Sequence, residues 1–208
     1  MGEINLNHKL GNKLYELSKT NNFKNIVEIG MWDGTGSTWC VFKGLLDSKN
    51  TDTSFYSLEV VKERFDKAVD LYQPYIDQGY KINLLNGSII KPDEVIEYAS
   101  AHEPAYVNQQ RGNFKLFLEA DLKHISNVDY VLDSLPDEID FLLLDGGEFS
   151  TYLEWEKLKD RAVNYIALDD TTKMKCKNIK NDIMNSNKFD IVVDAPSERN
   201  GILIVKRK

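Results

Sequence analysis

The residues able to do chemistry in this 208-residue chain gather at predicted strand ends. Glu28, Glu59, Asp145 and Asp169 each lie at or next to the C-terminal end of a β-rich run, beside small or turn-forming residues. In a parallel sheet those ends share one edge, and ligands bind in the crevice outside it. Carboxylates there can accept paired hydrogen bonds, hold a hard cation or take up a proton. The sharpest signal runs from Val27 to Ser37, where Gly30, Gly34 and Gly36 stand between a strand and a helix. A tight turn needs one glycine; three let the backbone approach a ligand closely. The Gly-x-x-x-Gly-x-Gly spacing differs from the Gly-x-Gly-x-x-Gly of dinucleotide sites.

The elements that must position these residues alternate along the chain. Leu6, Leu10, Leu14 and Leu17 form one face of an N-terminal helix within residues 1–22. Asn25 to Ile29 and Ser54 to Leu58 read as strands, with a helix from Ser37 to Leu46 between them. Val61, Phe65, Ala68 and Tyr72 stripe the next helix. Lys81 to Leu85 is a third strand closed by Asn86-Gly87-Ser88, and Pro92 opens a helix through Tyr98. Residues 99–118 show no clean period and read as a long loop, a candidate acceptor lid bearing Tyr106, Asn108, Gln109, Gln110 and Arg111. Ser126 and Asp129 resemble a capped helix start, striped by Val128, Val131, Leu132 and Leu135.

Ile139 to Asp145 is the most strand-like run, apolar enough to be buried on both faces of a parallel sheet. A helix over Phe149–Arg161 leads to a strand over Asn164–Asp169, and Cys176, Ile179, Ile183 and Met184 mark a further helix. Phe189 to Val193 and Gly201 to Val205 read as a terminal hairpin. The whole chain, 1–208, is thus expected to be one α/β domain.

Composition narrows the partners. With 42% hydrophobic and 28% charged residues, the chain is expected to bury roughly 70% of its unfolded surface without disulfides. Its apolar runs reach four or five residues, against about 20 for a membrane span. No basic stretch followed by an apolar one opens the sequence, so a cytoplasmic protein is expected. The net charge of −7 argues against a nucleic-acid partner, which favours a basic face. Cys40 and Cys176 lack zinc-site spacing and read as buried thiols.

The acid and glycine loop of Glu28 to Ser37 resembles motif I of the Rossmann-like S-adenosylmethionine-dependent methyltransferases. The resemblance runs from about Asn25 to Val205, apart from 99–118. It implies a mostly parallel seven-stranded sheet with helices on both faces and a C-terminal antiparallel hairpin. It also implies that Glu28, Gly30, Trp32, Gly34, Gly36 and Ser37 border the amino-acid and ribose part of the cofactor, with Asp145 nearby. Glu59 would bind both ribose hydroxyls, and Gly87 and Ser88 would contact the adenine.

Leu144-Asp145-Gly146-Gly147-Glu148, followed by Leu168-Asp169-Asp170, is similar to the paired acids of metal-assisted O-methyltransferases acting on sugars and small natural products. That resemblance implies Mg²⁺ or Mn²⁺ at Asp145, Asp169 and Asp170. Adjacent strands stand about 4.8 Å apart, and two carboxylates about 5 Å apart repel by roughly 3 kcal/mol at an effective dielectric near 20. Either one stays protonated or a cation sits between them. Asp145, Asp170 and Glu148 are the candidate bases, with Lys173 a weaker one; His102 and His124 read as structural. Many relatives carry His where Glu148 stands. The basic run Lys173, Lys175, Lys177 and Lys180 is a solvated face or attracts a phosphorylated acceptor such as a sugar nucleotide.

The expected activity is methyl transfer to a hydroxyl of a sugar or other small molecule, in a protein that can also form homo-oligomers. The rival readings are a nicotinamide-dependent oxidoreductase on a similar sheet and a non-catalytic S-adenosylmethionine-binding protein.

Overall fold

Along β1 (Asn25–Ile29) successive side chains enter two different hydrophobic cores. Ile26 joins Phe55, Phe141 and Leu143 beneath one helical layer, while Val27 and Ile29 join Leu58, Leu142 and Leu144 beneath the other. This period-2 division is why the central strands read as continuous apolar runs. The computed structural model describes residues 4–110 and 113–208, with backbone alone over 105–110.

After α1 (Lys9–Thr20) and β1 come α2 (Ser37–Asp47), β2 (Ser54–Glu59), α3 (Lys62–Ile76), β3 (Ile82–Ser88), α4 (Pro92–Gln110) and α5 (Phe114–Ile125). The second half holds β4 (Asp129–Tyr130), β5 (Ile139–Leu144), α6 (Thr151–Leu158), β6 (Ala162–Leu168), α7 (Met174–Asn185), β7 (Phe189–Ala195) and β8 (Ile202–Arg207). They build one sheet in the order β4-β3-β2-β1-β5-β6-β8-β7. All pairings are parallel except β6–β8 and β8–β7. α1 packs on α2 through the face of Leu10, Leu14 and Leu17; Leu6 lies outside the helix and is exposed.

Register decides where the site falls. Ile29 pairs with Leu58 on one side and Leu144 on the other, and Leu144 pairs with Leu168. The next residue of each strand therefore emerges on one rim, as Gly30, Glu59, Asp145 and Asp169.

Three expectations need correction. Residues 99–118 are not an irregular lid: α4 continues to Gln110 and α5 starts at Phe114. α4 buries Val95, Tyr98 and Ala99 in its first turns, then turns polar, so its second half shows no apolar stripe. Arg111 lies outside the described residues, as do the side chains of Tyr106, Asn108, Gln109 and Gln110. The helix expected from Ser126 is instead β4 and a single 3₁₀ turn, Leu132–Ser134. β4 pairs with Gly87 and Ser88, giving eight strands rather than seven. Val131 fills the space left by Gly87, where an added Cβ would lie 2.5 Å from its Cγ1.

Candidate cofactor and acceptor site

Above the rim lies a cavity of about 440 Å³, within the range of small-molecule sites. Gly30, Trp32, Ser37, Glu59, Gly87, Ser88 and Asp145 all border it, so the predicted cofactor residues from four separate loops converge. α5 closes one side with Phe117, Asp121 and His124. Of the stretch read as a lid, only Phe117 reaches the wall among the described residues. His102 is placed elsewhere, its Nδ1 2.8 Å from the Tyr98 carbonyl oxygen and its ring stacked on Tyr98.

Two glycines shape the loop after β1. Gly30 has φ +94°, and a Cβ there would stand 2.2 Å from the Asp145 carbonyl oxygen. Gly34 has φ +83°, and a Cβ there would meet the Tyr72 ring at 2.8 Å. The Tyr72 hydroxyl donates to the Gly34 carbonyl at 2.7 Å. Gly34 thus shapes the loop from behind, against α3, and neither it nor Gly36 borders the cavity.

Glu28 is also turned away from the cavity. The alternation of β1 sends it beneath the N-terminus of α2, fully buried. Its carboxylate accepts hydroxyls from Ser37 at 2.5 Å, Thr38 at 2.7 Å and Ser57 at 2.5 Å. Burial pushes this carboxyl up to about 7, against those three donors. It ties β1, β2 and α2 together, and so fixes the loop that carries Trp32.

Glu59 faces the cavity from a held position. Its two oxygens accept the backbone N–H groups of Trp32 and Val61, each at 2.8 Å, and Arg64 stands 3.9 Å away. Burial raises its carboxyl, opposed by these partners. A carboxylate has about four lone-pair sites, so these donors leave capacity for a ligand hydroxyl. Trp32, in the left-handed region at φ +57°, lies beneath the Arg64 guanidinium, 3.4 Å from ring centroid to carbon.

The acids of the second half also converge. Asp145, Asp169 and Asp170 offer oxygens all within 4.8 Å of one another. Consecutive acids in a strand would point apart; here β6 has ended at Leu168, and Asp170 takes φ +58°, which brings both inward. Asp170 does not cap α7, whose cap is Lys173.

Sequence reasoning missed the cations that answer these acids. Lys175, at the start of α7, contacts the Asp145 carboxylate directly and lies 3.4 Å from Asp170. Arg199, in the β7–β8 turn, pairs with Asp169 at 3.0 Å, and Asn200 donates to Asp170 at 2.8 Å. Burial would lower the Lys175 ammonium, but the charges of Asp145 and Asp170 outweigh it and hold it above its ordinary value. The same crowding leaves Asp169 raised to about 6, by burial and then by Asp145. A signal for Lys175 was available: it shares the spacing of four with Ile179 and Ile183, the buried face of α7. Lys180, off that face, pairs instead with Asp194 at 2.6 Å.

Of the candidate bases, only Asp145 borders the cavity. Asp170 and Glu148 stand behind it; burial raises Glu148, which accepts the backbone N–H of Lys175. An acid not among those candidates also faces inward. Glu154, buried on α6, reaches the wall beside Gly146, and its Oε2 has no hydrogen-bond partner among the described residues.

The donor set of three carboxylates has the hard-oxygen chemistry of a Mg²⁺ or Mn²⁺ site. Its occupancy does not fit one as it stands, because Lys175 and Arg199 already neutralise two of its three charges.

No family model matches the chain, and no curated protein matches it. Solved structures do. A methyltransferase from Podospora anserina bound to S-adenosylhomocysteine superposes with TM-score 0.59 at 14% identity, over 95% of this chain and 77% of that one. An O-methyltransferase from Bacillus cereus, also bound to S-adenosylhomocysteine, gives 0.57 at 16%, over 95% and 80%. A ribosomal RNA methylase from Streptococcus thermophilus gives 0.51 at 12%, over 95% and 93%. Among the described residues, no helix is long and apolar enough to cross a membrane. The strand order, the antiparallel end and these superpositions agree: the chain has the fold of the Rossmann-like, class I S-adenosylmethionine-dependent methyltransferases.

Proposed function

We propose that this protein binds S-adenosylmethionine and transfers its methyl group to a hydroxyl of a small molecule, a sugar or similar compound. The observation that carries this reading is Glu59: a held carboxylate facing a cavity that Gly30 also borders, with lone pairs left for ribose hydroxyls. The net charge of −7 favours a small acceptor over a nucleic acid.

Bound S-adenosylmethionine supplies an electrophilic methyl group on a sulfonium, open to in-line displacement by an oxygen. The chain's own residues do the rest. Trp32 and Gly30 shape one wall, and Glu59 fixes the ribose end, so the donor is held in one orientation. Alignment alone can contribute several kcal/mol to such a displacement. Lys175 offers its ammonium to the acceptor oxygen, and Asp145, beside it on the wall, is positioned to take the hydroxyl proton.

A second reading places Mg²⁺ or Mn²⁺ at Asp145, Asp169 and Asp170. It is favoured by the clustering of their oxygens within 4.8 Å.

The test is transfer from methyl-labelled S-adenosylmethionine to a panel of sugars, phenols and sugar nucleotides. An O-methyl product is expected. Label found only on nitrogen or sulfur, or hydride exchange with a nicotinamide instead, would overturn the assignment.

A further inference from the structure

We propose that the cation demanded by the clustered acids is built into the chain as Lys175 and Arg199, so that transfer needs no divalent ion and the acceptor oxygen meets an ammonium. The last clause rests on the methyltransferase reading; the first rests on the side chains alone.

Three observations support it. Lys175 is buried and bridges two of the acids, Asp145 and Asp170. Arg199 engages the third through both Nε and Nη2, each 3.0 Å from Asp169 Oδ2. Both cations also border the cavity, where Asp169 and Asp170 do not, so a ligand meets two positive groups beside Asp145, with the other two acids behind them.

The turn that carries Arg199 is built for delivery. Arg199 takes φ +54° and Gly201 φ +88°, which folds the chain back toward the acids. Thr171 N–H donates to the Gly201 carbonyl at 2.9 Å, and Thr172 N–H to the Asn200 carbonyl at 2.8 Å. The β7–β8 turn is thereby pinned onto the loop that presents Asp169 and Asp170. A metal bound to these carboxylates would have to expel Lys175 and stand beside Arg199, repelled by both.

The test is Mn²⁺ binding followed by electron paramagnetic resonance, on protein stripped with chelator and resupplied with S-adenosylhomocysteine. The unaltered protein is expected to leave millimolar Mn²⁺ free. Lys175→Met, which removes the ammonium and exposes the acids, is expected to bind one Mn²⁺ per chain, and adding Asp145→Asn should abolish that site. One Mn²⁺ bound by the unaltered protein, and lost in Asp145→Asn, would overturn the proposal. So would a folded Lys175→Met that binds none. If Lys175→Met does not fold, the unaltered protein decides the matter alone. Failure of S-adenosylhomocysteine to bind would contradict the methyltransferase reading, while the Mn²⁺ comparison, repeated without it, still stands.

Discussion

Gly30 packs so closely on Asp145 that a single added methyl group would sit 2.2 Å from the Asp145 carbonyl oxygen. The Asp145 N–H in turn donates to the Ile29 carbonyl at 2.9 Å. The end of β1 and the end of β5 are thus joined at the point where the glycine loop and the acid cluster meet. Gly30→Ala is expected to cost on the order of 3 kcal/mol, from the positive φ and the forced separation of the two loops. Denaturant melts would measure this. A variant as stable as the parent would contradict the contact.

Gly34→Val separates loop shape from ligand contact. The new side chain would press on Tyr72 and Ala68 in the core, away from the cavity. Stability should fall by roughly 3 kcal/mol. At a temperature where the variant is folded, its affinity for S-adenosylhomocysteine should stay within about threefold of the parent, since that ratio is under 1 kcal/mol. A stable variant that had lost the ligand would show that Gly34 touches it.

Buried Glu154 makes stability depend on pH. Burial raises its carboxyl from 4.5 to about 8, so across that window the native state keeps a proton that the unfolded chain has released. Stability must therefore fall as pH rises through it. Glu28, raised to about 7, acts in the same direction. Glu154→Gln removes the larger contribution, so the drop in melting temperature between about pH 5 and pH 8 should be smaller in the variant than in the parent. An unchanged drop would refute the assignment of that proton to Glu154.

Much of this was legible in the sequence because the signals were local. The run Asn25–Ile29 matches β1 residue for residue, and the apolar run of β5 needed only its length and bounding acids. The convergence of Gly30, Glu59 and Asp145 followed from strand ends sharing an edge, a property of parallel sheets rather than of particular contacts. What stayed hidden depends on partners distant in sequence. Lys175 reads as one lysine among four until the fold sets it between acids 30 and 5 residues away. Arg199 sits in a polar turn with nothing local to mark it. Glu28 carries the right residue type for a ligand contact, but its strand parity sends it into the core. The start of α4 at Pro92 was legible, but its continuation past Tyr98 was not, because the residues that follow carry no apolar stripe.

The account stands on the cavity being a site for S-adenosylmethionine, and titration calorimetry with S-adenosylhomocysteine tests that most directly. One saturable site per chain is expected, with a negative heat-capacity change from apolar burial. Glu59→Ala, which removes the carboxylate facing the ribose, should weaken binding at least tenfold, about 1.4 kcal/mol, and NAD⁺ should give no heat. Saturable binding of NAD⁺ with none of S-adenosylhomocysteine, or affinity unchanged in Glu59→Ala, would contradict it.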